Sequence, residues 1–99
     1  MSFKEKTNLN TNTDIKTPKM YKVVFYNDDF TPMDFVVDVL ELVFGKNRME
    51  AFQIMMNIHK SDCAAVGVYT RDIAYTKATT AMDMARRAGY PLKVTAEAE

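Results

Sequence analysis

Between Met33 and Phe44 the chain carries an apolar residue at almost every position, with Asp34, Asp38 and Glu41 as the only charges. Those three acids fall at i, i+4 and i+7, so on a helix they share one narrow stripe. Met33, Phe35, Val36, Val37, Val39, Leu40, Leu42, Val43 and Phe44 take up the rest of the circumference, and only the acidic stripe can face water. The chain has 99 residues, enough for one domain whose folding buries a little over ~60% of the unfolded surface. The other elements must therefore pack around this helix.

Its start reads from Thr31-Pro32-Met33-Asp34, with Thr31 as N-cap, Pro32 at the first helical position and an acid in the first turn. Gly45 stops it. Upstream, Met20 to Tyr26 is β-branched or aromatic, with Tyr21, Val23 and Phe25 on one face and Lys22 on the other, which predicts a strand ended by Asn27, Asp28 and Asp29. Asn47 followed by Glu50 resembles a capping box, and Ala51, Ile54, Met55 and Ile58 then repeat at helical spacing, with His59 near the helix end. Cys63 to Tyr69 reads as a second strand. Thr70 caps a third helix running to about Ala88 with Gly89 as its stop, and Leu92, Val94 and Ala96 alternate with polar residues as a third strand. The order βααβαβ predicts an α+β two-layer sandwich, a three-stranded antiparallel sheet with three helices on one face. Residues 1–18 are polar, with Phe3, Leu9 and Ile15 as the only sizeable apolar groups beyond Met1, and are expected to form a flexible tail ahead of a domain at 19–99.

Hydrophobic residues make up 47% of the chain and charged residues 26%, an ordinary globular balance. Lys plus Arg and Asp plus Glu stand at 13 each, so the electrostatic excess that drives phosphate-backbone binding is missing and nucleic acid is not an expected partner. The apolar run Phe35 to Phe44 falls far short of the ~20 residues a bilayer requires, and no secretory signal is evident. With Cys63 as its only cysteine the chain can form no internal disulfide, which suits a reducing compartment. A cytoplasmic monomer, away from membranes, is expected.

Catalytic and metal chemistry find little support. His59 and Cys63 are the only His and Cys, too few for a tetrahedral zinc site. Ser61 and Asp62 follow His59 too closely to act as nucleophile and orienter, and Cys63 reads as an inert buried thiol. The glycines at 45, 67 and 89 are too far apart to cradle a phosphate. Arg86, Arg87 and Lys93 read as a solvated face near a helix C-terminus. No catalytic residue, metal or cofactor is expected. There remain Asn27, Asp28 and Asp29 beside the apolar helix, with Met33, Met55, Met56 and His59. On one reading the polar residues make turns and caps while the methionines fill the core. On the other, acids and an amide accept from a cation beside thioethers that suit an apolar guest.

The run Asn27-Asp28-Asp29-Phe30-Thr31-Pro32-Met33-Asp34-Phe35-Val36 resembles the signature segment of the ClpS family, adaptors that deliver N-degron substrates to the AAA+ unfoldase ClpA for the ClpP protease. The resemblance continues through His59, Gly67-Val68-Tyr69-Thr70, Ala74, Thr76, Lys77 and Pro91-Leu92, and covers essentially all of residues 20 to 95. It implies a binding protein rather than an enzyme, whose pocket holds a substrate's first residue, Leu, Phe, Tyr or Trp, by its free amine and side chain. Asn27, Asp28 and a neutral His59 would accept from the α-ammonium. Asp29, Thr31, Met33, Val36, Met55, Ile58 and Leu92 would line the side-chain pocket, with Met33 excluding β-branched residues. Asp72 and Lys77 would contact the N-terminal domain of the unfoldase, and the tail would be engaged during handover. The sequence departs from the family at Asp62, where glycine is frequent, and at Asp72, where glutamate is common. A competing resemblance, to the C-terminal domain of the ribosomal stalk protein, has the same order of elements but leaves the Asn-Asp-Asp run and His59 without a role. A hydrolase using His59 and an acid would require turnover.

Overall fold

The computed structural model describes residues 18–99; apart from Pro18, the expected tail lies outside them. The elements are β1 (Met20–Tyr26), α1 (Met33–Phe44), α2 (Arg48–Ser61), β2 (Cys63–Thr70), α3 (Arg71–Ala88) and β3 (Lys93–Ala98). They form the α+β arrangement the sequence predicts, with an antiparallel sheet in the order β2-β1-β3. Tyr21, Val23 and Phe25 of β1 point into the layer between sheet and helices, where they meet Val39 and Leu40 of α1, Met55 and Ile58 of α2, and Ala74, Ala78, Ala81 and Ala85 of α3. The alanine row lets α3 lie close on the sheet, while the Phe25 and Phe44 rings meet edge to face at 5.5 Å. Val39 and Leu40 are wholly buried, each stabilising the fold by roughly 1.5–3 kcal/mol relative to exposure.

α1 departs from its expected outline in two ways. Leu42 is exposed, because at i+4 from Asp38 it continues the acidic stripe, so the solvent face is wider than the charges alone suggest. Pro32, rather than Thr31, is the N-cap, and its carbonyl accepts the first helical bond from Val36 at 3.2 Å. The Thr31 hydroxyl is turned to Asp28 instead. Asn47 does cap α2, its side chain accepting from Glu50 N at 2.8 Å. Thr70 stands at the N-cap of α3 but makes no side-chain capping bond. Gly45 (φ 66) and Gly89 (φ 85) end α1 and α3 in left-handed conformations, and Asp62 (φ 70) does the same for α2. The β1–β2 register shifts between Val23 and Val24, leaving Val66 as the extra residue of a bulge with its side chain buried.

Candidate functional site

The end of β1 is held by its neighbours before the chain reaches α1. Asn27 N donates to Asp62 O at 2.7 Å, tying the strand end to the corner between α2 and β2. Asp28 then organises the turn. Its Oδ1 accepts from Phe30 N at 2.8 Å and Thr31 N at 2.7 Å, and its Oδ2 accepts from the Thr31 hydroxyl at 2.8 Å. Partial burial works to raise the Asp28 pKa, but these bonds and the nearby Arg86 outweigh it and leave the carboxyl below its ordinary value. The turn thus presents a charged carboxylate with acceptor capacity to spare.

Around this turn Tyr26, Asn27, Asp28, Thr31, Val36, Ile58 and Leu92 line one depression. Val36 comes from α1, Ile58 from α2, and Leu92, 1% exposed, from the loop before β3. Three separate elements therefore supply an apolar floor beneath a polar rim. The depression encloses about 10 Å³, room for about one water. Admitting a large side chain requires a wall to move.

Met33 does not line the depression and instead lines a neighbouring groove. It lies three residues before Val36, which faces the depression, and four before Val37, which faces a groove between α1 and α2. That groove, about 610 Å³, is lined by Met33, Asp34, Val37, Arg48, Met49, Phe52 and Met55. Met33 is 44% exposed, and its unbranched thioether can adapt its shape there. Met55 is buried and lines the groove, not the depression.

Of the residues singled out from the sequence, Asn27, Asp28, Thr31, Val36, Ile58 and Leu92 come together in the depression. Met33 and Met55 lie on its groove side, Asp29 is exposed in the turn, and His59 is exposed in the last turn of α2. Asp72 and Lys77 share a separate hollow on α3 with Ile73 and Thr76. Asp72 is freely exposed. Lys77 is more embedded than a surface lysine: its Nζ donates to Val43 O at 2.8 Å and lies 5.6 and 5.4 Å from the Phe44 and Tyr69 ring centres.

Two residues gain a role that sequence reading did not give them. Tyr26 borders the depression while its hydroxyl donates to Glu97 across the sheet, a bond that raises the tyrosine pKa. Arg86, read as part of a solvated basic face, instead braces the loop after α3, its Nη1 donating to Tyr90 O at 2.8 Å and Leu92 O at 2.9 Å. The only signal was a basic residue in the last turn of the helix, just before Gly89 and the Tyr90-Pro91 turn. Cys63, expected to be buried, is half-exposed at the start of an edge strand.

Compared with known proteins, residues 16–95 match the family model described as ATP-dependent Clp protease adaptor protein ClpS. The chain belongs to the ClpS family. Its relatives include the ATP-dependent Clp protease adapter protein ClpS of Ruegeria pomeroyi, 50% identical over 92% of this chain and 80% of that protein. The ClpS adapter of Roseobacter denitrificans is 54% identical over 85% of this chain and 74% of its own length. Among solved structures, Agrobacterium tumefaciens ClpS2 bound to L-phenylalaninamide superposes with a TM-score of 0.82 at 46% identity, covering 84% of this chain and all of that one.

Proposed function

We propose that this chain is an N-degron adaptor: it binds the free N-terminal Leu, Phe, Tyr or Trp of a substrate protein and hands it to a ClpA-type AAA+ unfoldase for degradation by ClpP. The observation that carries this reading is the depression at the end of β1, a polar rim of Asn27 and Asp28 over an apolar floor of Val36, Ile58 and Leu92. It lies in a chain similar to a ClpS2 that binds phenylalaninamide, a free amine beside a large apolar side chain.

In this reading Asn27, Asp28 and a neutral His59 accept from the α-ammonium, a cation with three donors that needs converging acceptors. Asp29, Thr31, Met33, Val36, Met55, Ile58 and Leu92 surround the first side chain once Met33 has moved aside. Asp72 and Lys77 form the unfoldase contact. The protein works by binding and release in the cytoplasm, as a monomer and without turnover. Burying one large side chain contributes roughly 1.5–3 kcal/mol, and each of two or three charge-assisted hydrogen bonds roughly as much. After association costs this gives about micromolar affinity, suited to a carrier that must let go.

Fluorescence polarisation with labelled peptides that differ only at the first residue tests the reading. Peptides starting with free Leu or Phe bind, and those starting with acetylated Phe or with Ile do not. Equal binding of all four, or none, rejects the pocket.

A further inference from the structure

The depression at the end of β1 has a larger and more open neighbour. Phe30, Arg86, Gly89, Tyr90 and Pro91 surround a shallow hollow of about 590 Å³. It is built from the same two loops as the depression, since Phe30 stands between Asp28 and Thr31, and Pro91 directly precedes Leu92.

The hollow is also held in shape. Asp28 Oδ1 fixes Phe30 through its backbone N–H at 2.8 Å. Arg86 Nη1 clamps the opposite loop through Tyr90 O and Leu92 O, and the Tyr90 ring packs edge to face on Phe35 at 4.9 Å. Yet the Phe30 side chain is 77% exposed. An aromatic ring so exposed, on a backbone so constrained, offers apolar area that a guest can cover at little ordering cost.

Resting on the reading of the depression as a first-residue pocket, we propose that this hollow is a shelf for the second residue of the same substrate chain, favouring a large apolar side chain over glycine. Consecutive Cα atoms are about 3.8 Å apart. A substrate whose ammonium meets Asp28 and whose first side chain points toward Leu92 therefore carries its second side chain within reach of the turn that Asp28 organises. Phe30, Tyr90 and Pro91 supply the contact surface. Arg86 braces the shelf through its Nη1, which donates to the Tyr90 and Leu92 carbonyls.

The test compares phenylalaninamide, Phe-Gly-amide and Phe-Leu-amide as competitors for the full chain and for Phe30→Ala, a change at an exposed position that leaves the core intact. Phe-Leu-amide is expected to bind about 3- to 10-fold more tightly than Phe-Gly-amide. In Phe30→Ala that ratio falls to about one, while phenylalaninamide binds as before. A ratio of one in the unaltered chain overturns the shelf and leaves the first-residue pocket standing. So does a ratio that survives Phe30→Ala and is lost in Phe52→Ala, which puts the second residue in the α1–α2 groove. Failure of phenylalaninamide itself to bind overturns both.

Discussion

Asp28 serves two roles with one carboxylate. It closes the turn through three donors, and on the proposed function it also faces the substrate ammonium. Asp28→Asn keeps an acceptor for the two backbone N–H groups but loses the charge, so it separates the roles. Peptide affinity is expected to fall about 10- to 100-fold, the loss of one charge-assisted bond, while stability changes by less than about 1 kcal/mol. Asp28→Ala lowers both. Paired peptide titrations and thermal melts of the two variants check this, and parallel losses in both measurements for Asn would contradict it. Because the folded-state pKa of Asp28 is depressed, its stabilising bonds are present above the ordinary carboxylate range and are lost only as pH falls through the lowered value. Asp28 is therefore ionised throughout the neutral and mildly acidic range. His59→Ala, which removes one proposed acceptor for the ammonium, is expected to lower peptide affinity about 10-fold in the same titrations. Unchanged affinity in His59→Ala removes His59 from the site.

The cap residues of the helices look alike in sequence and differ in the folded chain. Asn47 satisfies the Glu50 N–H, whereas Thr70 holds the same kind of position without a side-chain bond. Asn47→Ala is expected to cost about 1 kcal/mol and Thr70→Ala distinctly less, as measured by urea unfolding of each variant. Equal losses would mean that Thr70 caps α3 in solution. The comparison bears on the site because α2 carries both Ile58 and His59, and any loosening of its first turn is remote from them. Asn47→Ala should therefore leave peptide affinity unchanged. α1 acts differently: its Val36 faces the depression while Met33 and Val37 face the groove.

At the scale of the whole molecule, the proposed function assigns peptide capture and delivery to different parts of the chain. The depression lies at the end of β1, while Asp72 and Lys77 flank a separate hollow on α3. Deleting residues 1–18 is expected to leave peptide affinity intact and to block degradation of an N-degron substrate in the presence of unfoldase and protease. An unchanged degradation rate would remove the tail from handover. Lys77 anchors the α3 surface to the core: its ammonium is tied to the carbonyl of Val43 and lies near the Phe44 ring, which in turn packs on Phe25 of β1.

Much of this protein is local in origin, and that part was legible in the sequence. The alternation of Met20 to Tyr26, the apolar circumference of Met33 to Phe44, the Asn47 and Glu50 pair and the glycines at 45 and 89 each express a preference of a few adjacent residues, which the fold left in place. The family signature likewise sits in one continuous run, so Asn27, Asp28, Thr31 and Val36 were found together. The roles decided only by tertiary structure depend on partners distant in the chain. Arg86 looked like a solvated charge until the loop after α3 brought the Tyr90 and Leu92 carbonyls to it. Tyr26 looked like the last residue of a strand until Ile58 and Leu92 closed beside it. Leu42, apolar by type, was left in water because its position on the helix, and not its chemistry, determined which face met the core.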